Sequence, residues 1–166
     1  DYYKMAYQPG NIVFVLVGDV PPEEMLQAVQ NHVAGVEQGR AFVRDIPSEP
    51  PVYAPRTLVA TFPKLGQAMC QLAFPSISLD HPDLYALDLL SAVLSWGESS
   101  VLVEEIRDKQ RLVSSIGSSS YTPDYADGSF EIEMQLDPAN IPAANAAVLA
   151  LIEQVKANGI PSERIE

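Results

Sequence analysis

Metal-binding and positively charged residues are scarce in this sequence. Its 166 residues include one cysteine, two histidines, and 10 lysines and arginines against 22 aspartates and glutamates. A lone cysteine cannot form a disulfide within the chain, and a net charge of −12 argues against nucleic acid or an anionic membrane surface as a partner. No apolar run reaches the length of a membrane span. The sequence therefore predicts neither a disulfide-stabilised domain, nor a nucleic-acid-binding module, nor a membrane-spanning segment.

The usual motifs of hydrolases and metal sites are also missing. His32 and His81 are predicted on different helices, and neither H-x-x-E-H nor H-E-x-x-H occurs. There is no G-x-S-x-G elbow and no P-loop pattern. Cys70 lies in the apolar stretch AMCQLAF and is interpreted as a small buried hydrophobe rather than a nucleophile. The sequence predicts no catalytic residue, no metal ligand and no cofactor for this chain.

The order of the predicted elements indicates an α+β fold. Several strands are adjacent in sequence and joined as hairpins, so we expect a mostly antiparallel sheet with helices on one face, a two-layer sandwich. The predicted strands are 11–18, which we expect to be buried on both faces, 56–62 and 67–74, which we expect to form a hairpin, and 111–121. A fifth predicted strand, 129–136, alternates strictly, with Phe130, Ile132, Met134 and Leu136 on the face toward the core.

The predicted helices run from Pro22 to about Gly35 and from an Asp80 cap, with Pro82 in the first turn, to Gly97. The next helix runs from about 101 to 110 with Leu102 and Ile106 facing inward, and another from Asp137 to Gly159 with an apolar face of Val148, Leu151, Ile152 and Val155. A last helix begins at about 160.

The length of the chain fits a single domain over residues 1–166. Residues 36–56 are rich in proline and are predicted as an irregular connecting loop. The chain begins at Asp1 without a methionine, and its last predicted helix stops at Glu166. We therefore expect a fragment of a longer chain.

Four stretches of the sequence resemble segments of a known peptidase family. Residues 79–115 resemble its helix, glycine-rich turn, helix and strand, usually written L-G-G-x-x-S-S-R-L-x-x-x-L-R-E-K-x-G-L-A-Y-S. Residues 120–134 resemble its hairpin, and residues 159–166 the start of its closing helix. The remaining stretch matches Y-x-P-x-N-M-x-L-x-V-x-G-D at Tyr7, Pro9, Asn11, Gly18 and Asp19. In this order and spacing, the chain resembles the second, non-zinc-binding domain of the insulinase/pitrilysin family of zinc metallopeptidases, which includes the mitochondrial processing peptidase.

The resemblance implies the LuxS/MPP-like metallohydrolase fold and a non-catalytic role. In the family, the zinc ligands lie on H-x-x-E-H and a downstream glutamate of a preceding domain, so none transfers to this chain, which we expect to be inactive alone. Two such two-domain halves enclose a chamber that holds the peptide. The implied partners are a preceding zinc-binding domain, a second homologous half or subunit, and a peptide substrate.

The resemblance also suggests which residues contact substrate. The family uses an arginine and, seven residues on, a tyrosine, which stabilise the developing oxyanion; the matching positions are Arg107 and Ser114, whose hydroxyl is too short to replace a phenol. Arg111 stands where the family pattern K-x-G-L has its glycine, so the conformational freedom of glycine does not account for the residue at this position. The chamber-facing turn that the resemblance implies is represented by Gly97, Ser99 and Ser100.

Each of these candidates has a structural alternative. Arg107 could form an ion pair at a helix C-terminus, where the dipole favours a cation, and residues 97–100 could form a capped turn. Two functions therefore stay open: a non-catalytic domain that helps form the peptide-binding chamber of a zinc metallopeptidase, and a domain of a catalytically inactive homologue that acts as an assembly scaffold. A free-standing ligand-binding module is the third and weakest interpretation.

Overall fold

The computed structural model describes residues 2–37, 39 and 46–160. The chain divides into two compact units, residues 1–47 and 48–166, and each is described by itself. The predicted helix start at 161–166 and part of the predicted 36–56 loop lie outside the described residues. The described remainder of that loop contains no helix or strand, and the assignment of the chain to a single domain stays a prediction.

Within the described residues of the first unit, the α-helices are α1 (Tyr2–Ala6) and α2 (Pro22–Val33). The prediction of α2 is confirmed, since Pro22 opens the helix and Glu23 and Glu24 lie in its first turn, where negative charge complements the helix dipole. Gly35, with a φ of 83°, follows its end.

The predicted strand over residues 11–18 is wrong for this unit. Asn11 ends a 3-10 turn that begins at Pro9, and residues 12–17 form no strand. Val13, Val15 and Val17 are 86%, 82% and 95% exposed. A strand requires a hydrogen-bonding neighbour, and no described residue pairs with this segment. An apolar run indicates a preference for burial, but it does not supply the neighbouring strand.

The second unit is built around a three-stranded antiparallel sheet. Its strands are β1 (Ala68–Pro75), β2 (Ser115–Tyr121) and β3 (Ser129–Leu136), in the order β1-β3-β2. In the register of the sheet, Ile132 lies opposite both Leu72 and Ser118. The alternation predicted for β3 is confirmed, because Ile132, Met134 and Leu136 are buried whereas Glu133 and Gln135 are exposed.

Helical elements cover the apolar side of this sheet. They are α3 (Leu84–Ser95), a π-helix (Val103–Lys109) and α4 (Ile141–Asn158), which ends at Gly159 as predicted. The largest fully buried side chains come from the π-helix and the residue before it, from β3 and from α4: Leu102, Ile106, Ile132, Leu136 and Val148. The predicted α+β class, with an antiparallel sheet and helices, is confirmed.

The predicted hairpin of strands 56–62 and 67–74 is only half correct. Its second strand forms as β1, but residues 56–62 form no strand, and Leu58 and Val59 are exposed. Strand β1 pairs instead with β3, more than 50 residues away, over its full length. The reason is burial: pairing with β3 places Cys70, Leu72 and Phe74 against the core, a gain that sequence proximity does not offer.

Helix α3 begins at Leu84, later than the Asp80 cap and Pro82 first turn that the sequence predicts. Both residues lie in turns closed by hydrogen bonds from His81 N–H to the Ser78 carbonyl and from Leu84 N–H to the His81 carbonyl, each 3.1 Å. The Asp83 N–H donates to His81 Nδ1 at 3.1 Å. These local bonds satisfy the backbone groups that an earlier helix start would have used.

Serine side chains join α3 to the edge of the sheet. The Ser118 N–H donates to Ser95 Oγ at 2.8 Å, and Ser118 Oγ donates to the Ser91 carbonyl at 3.0 Å. Because a helix hydroxyl satisfies this backbone group of an edge strand, α3 covers part of the edge that another strand could otherwise join. These bonds hold α3, and the turn that follows it, in a defined position on β2.

Candidate functional site

The element that carries the predicted site is the π-helix Val103–Lys109. Val103 and Ile106 of this helix are buried, as is the preceding Leu102, which confirms the predicted inward positions of Leu102 and Ile106. The helix closes with bonds from Gln110 N–H to the Glu105 carbonyl (3.3 Å) and from Leu112 N–H to the Ile106 carbonyl (3.1 Å). Isolated π-turns occur frequently at functional sites, and this one places Arg107 at the surface with 29% of its side chain exposed.

Arg107 is held by two carboxylates. Its Nε donates to Asp108 Oδ1 at 2.7 Å and its Nη2 to Asp108 Oδ2 at 3.2 Å, while Nη2 also donates to Glu98 Oε2. The hydrogen bonds that Arg107 donates to Asp108, and then the one to Glu98, raise the pKa of Arg107 above its already high ordinary value. The hydrogen bond from Arg107 lowers the pKa of the Asp108 carboxyl. The ion-pair interpretation of Arg107 is thus confirmed, and substrate contact stays a prediction.

The turn between α3 and the next helix is organised by Gly97. Its φ of 87° is a left-handed conformation that favours glycine, and its carbonyl accepts from the Ser100 N–H at 3.2 Å. Gly97 and Ser99 are exposed. Ser100 is buried, and its hydroxyl finds no hydrogen-bond partner among the described residues. Gly97 and Ser99 are therefore accessible to a ligand, whereas Ser100 lies beneath the surface.

Ser114 belongs to a different neighbourhood. Its Oγ donates to the Gln135 carbonyl at 2.9 Å and lies 3.4 Å from Gln67 Oε1, a second acceptor for the same hydroxyl proton. Both acceptors lie at the ends of the sheet, in β3 and just before β1. The structure therefore joins Arg107 to the Gly97 turn through Glu98, but it gives no hydrogen bond between Arg107 and Ser114. Sequence reasoning missed Glu98 as a site residue, although its place directly after Gly97 in the glycine-rich turn was the available signal.

Arg111 departs from expectation. Its φ of 55° makes it the non-glycine residue with a positive φ in the described part of the chain. From the sequence, an arginine at this position indicates a backbone that does not need the conformational freedom of glycine. The backbone nevertheless adopts the left-handed conformation that glycine favours. The turn explains this, because the Leu112 N–H must fold back to the Ile106 carbonyl, and helices commonly end through one left-handed residue.

Replacing Arg111 by glycine should stabilise the protein. A side chain in the left-handed region costs about 1–2 kcal/mol, and glycine offsets part of that gain by about 0.5–1 kcal/mol through its more flexible unfolded state. We expect Arg111→Gly to raise the free energy of unfolding by about 0.5–1 kcal/mol in urea denaturation.

The matched control is Gln110→Gly. Gln110 has ordinary right-handed dihedrals, φ −89° and ψ −21°, so glycine there relieves nothing and should lower the stability. Equal loss of stability in both variants would contradict the assignment of strain to Arg111.

The described residues offer no site for a metal. Within ranges 2–37, 39 and 46–160, no group of three or more histidine, cysteine, aspartate or glutamate side chains is arranged to hold an ion. The carboxylates beside Arg107 are themselves engaged; for example, Glu105 accepts from Lys109 Nζ at 2.5 Å. These residues do not fit a zinc centre, so no catalytic step is assigned to them. In the same part of the chain, no helix has the length and hydropathy needed to cross a membrane.

A separate groove of about 290 Å³ lies beside the end of α4. Val101, Leu151 and Val155 form its apolar lining, and Glu105 and Gln154 contribute polar groups. Glu105 belongs to the π-helix and also lines this groove. Glu98 and Asp108, which hold Arg107, do not line it.

Known proteins resemble the chain over nearly its full length. The zinc protease PqqE of Helicobacter pylori is 26% identical over 169 aligned residues, which include 99% of this chain and 38% of PqqE. An uncharacterized zinc protease of Streptomyces coelicolor is 25% identical over 175 residues, again 99% of this chain and 36% of the relative. The chain thus spans well under half the length of these curated relatives.

Solved structures share its fold. The crystal structure of a protease from Helicobacter pylori superposes with a TM-score of 0.85 at 26% identity, over 98% of this chain and 40% of that one. The peptidase M16 inactive domain from Pseudomonas fluorescens superposes with a TM-score of 0.72 at 23% identity, over 95% of this chain and 38% of that one. The second likeness concerns the fold alone.

The family assignment follows from the whole chain. Residues 1–166 match the family described as Peptidase M16 inactive domain, and the relatives include zinc proteases. The resemblance drawn from the four sequence stretches is therefore confirmed, and the chain belongs to the M16 peptidase family, in its inactive domain.

Proposed function

We propose that this chain is the non-catalytic domain of a zinc metallopeptidase and helps to form the chamber that holds the peptide. The observation that carries the proposal is the match of all 166 residues to the inactive domain of the family, together with relatives that are named zinc proteases and are more than twice as long. The zinc ligands would then lie in a preceding domain, and a second homologous half or subunit would complete the chamber.

In this proposal, the surface around the Gly97 turn and Arg107 faces the peptide. Its support is chemical: Gly97 and Ser99 are exposed, and Arg107 offers a guanidinium with a partly exposed side chain. A fixed cation can hold a peptide through the carbonyl groups of the peptide. Ser114, which lies at the sheet ends with an exposed side chain, would border the same chamber without replacing a phenol.

The test measures peptide cleavage by the complete protein that the gene encodes, together with any subunit that co-purifies with it. We expect cleavage of a quenched fluorescent peptide library that 1,10-phenanthroline abolishes and added zinc restores, and no cleavage by the 166-residue chain alone. A complete, folded protein that binds no zinc and cleaves nothing would instead support the assembly-scaffold function.

The chamber role requires a separate readout on the same preparation. Arg107→Gln should raise KM with a smaller change in kcat, because it removes a peptide contact and not the reacting groups. Lys156→Gln is the control, since Lys156 is an exposed cation paired with Glu153 on α4, away from this surface in sequence. An unchanged KM and kcat in Arg107→Gln would show that Arg107 does not contact the peptide in the proposed chamber.

A further inference from the structure

We propose that Glu98 is a specificity-determining residue: its carboxylate occupies the Arg107 guanidinium as an internal ligand and so keeps acidic peptide side chains from binding there. The inference rests on the proposed function, in which Arg107 faces the peptide. It goes beyond that function by naming the class of peptide group that this surface rejects.

The geometry of the guanidinium carries the argument. An arginine presents two edges that can each bind a carboxylate through two parallel N–H groups. Asp108 takes the edge formed by Nε and Nη2, with bonds of 2.7 and 3.2 Å to its two carboxylate oxygens. Glu98 takes a further bond from Nη2, so the remaining edge, formed by Nη1 and Nη2, is already engaged at one of its two nitrogens. A carboxylate arriving from a peptide needs that edge and must displace Glu98.

Exposure decides which of the two carboxylates is replaceable. The Glu98 side chain is 86% exposed, against 48% for Asp108 and 29% for Arg107. Glu98 also lies on the turn after Gly97, whereas Asp108 is the direct neighbour of Arg107 in the chain. Glu98 can therefore swing into solvent at little cost, and Asp108 remains with Arg107.

The local charge favours rejection of acidic groups. Two carboxylates share one guanidinium, so this cluster has an excess negative charge, and the nearby Lys109 is paired with Glu105 and Glu104. A peptide carboxylate entering this surface meets repulsion as well as competition. The effect is moderate, because exposed ion pairs are weakened by solvent and salt.

The test measures binding of two probe peptides to the full 166-residue chain by NMR titration. The probes are acetyl-Ala-Ala-Glu-Ala-Ala-amide and its glutamine counterpart. The wild type should bind the glutamate peptide no tighter than the glutamine peptide. Glu98→Gln should bind the glutamate peptide about threefold tighter than the wild type does, a factor in the range of an exposed ion pair, and should gain less for the glutamine peptide, whose amide carries no charge.

Three further variants decide the interpretation. Glu105→Gln removes the same charge from the same surface without touching Arg107, so it should give a smaller gain than Glu98→Gln, because it weakens the repulsion but not the competition for the guanidinium. Glu98→Gln combined with Arg107→Gln should lose the gain. Glu98→Ala also removes the carboxylate and should give the same gain in affinity for the glutamate peptide. The test therefore stays decisive if one of the two Glu98 variants folds poorly.

Equal gains in Glu98→Gln and Glu105→Gln, or no gain in either Glu98 variant, would overturn the proposal. So would a wild-type preference for the glutamate peptide. Since the measurement needs no zinc and no cleavage, its failure is distinguishable from failure of the peptidase assay, which tests the proposed function itself.

Discussion

Truncation of Leu102 should lower the free energy of unfolding by about 2–5 kcal/mol, the range for leucine-to-alanine changes in well-packed cores. Leu102 is fully buried immediately before the π-helix, in the same core as Ile106, Ile132 and Val148. The substitution removes apolar contacts and leaves a cavity that the sheet and the helices cannot fill without moving. Urea denaturation followed by the fluorescence of Trp96, at the C-terminal end of α3, reports on this unit.

Leu149→Ala is the control for the Leu102 prediction. Leu149 follows the fully buried Val148 in α4 but is 45% exposed, so the same chemical change removes much less buried surface. We expect a loss below about 1 kcal/mol. Similar losses in the two variants would mean that Leu102 does not lie in the core.

Replacing Gly128 by alanine should lower the stability by about 1–3 kcal/mol, the usual cost of forcing an extra carbon into a packed site. A Cβ at Gly128 would overlap the Tyr121 carbonyl oxygen and lie 2.8 Å from the Ile77 carbonyl oxygen. The backbone cannot retreat easily, because the Gly128 N–H donates to the Ile77 carbonyl (3.0 Å) and its carbonyl accepts from the Ser76 N–H (2.9 Å). These bonds join the end of β1 to the start of β3.

Gly117→Ala separates this close approach from the general effect of changing a glycine. Gly117 lies in β2, and a Cβ there would meet nothing within 4 Å. Since glycine in a strand interior costs about 0.5–1 kcal/mol, Gly117→Ala should be neutral or slightly stabilising in the same urea experiment. If Gly128→Ala also proves neutral, the carbonyl oxygens of Tyr121 and Ile77 do not lie as close to residue 128 as described above.

The elements predicted best are those with a strict period and clear ends. Strand β3 was readable to the residue because its apolar and polar side chains alternate over all eight positions. Helix α2 was readable because Pro22 opens it and Gly35 follows it. The end of α4 was readable because Gly159 follows it, whereas its start lies at Ile141 rather than at the predicted Asp137. Their periods and end signals are local, so the sequence contains them in full.

The elements predicted worst depend on distant partners. Residues 11–18 and 56–62 have the composition of strands, but a strand forms only when a second segment pairs with it. The composition of a segment does not identify that partner. Strand β1 illustrates the same limit, since its neighbour is β3 rather than the adjacent segment. The start of α3 moved because turns at Ser78 and His81 satisfied the backbone first.

The candidate site divides in the same way. Arg107 was found through the resemblance, and its ion pair was weighed as an alternative. The partner Glu98, nine residues away and across a turn, was not predicted. Neither the burial of Ser100 nor the hydrogen bonds of Ser114 with Gln135 and Gln67 could be read from motif positions, because a motif aligns residues without stating what each one touches.

The sequence by itself determined the α+β class, the apolar faces of β3 and α4, and membership of the peptidase family, because these depend on local periodicity and on motifs in order. Only the tertiary structure decided that Glu98 and Asp108 share the Arg107 guanidinium and that Arg111 adopts a φ of 55°. The first depends on how the Gly97 turn meets the π-helix, and the second on the turn in which the Leu112 N–H returns to the Ile106 carbonyl. The π-helix itself is positioned by the burial of Leu102 and Ile106 in a core built from distant parts of the chain.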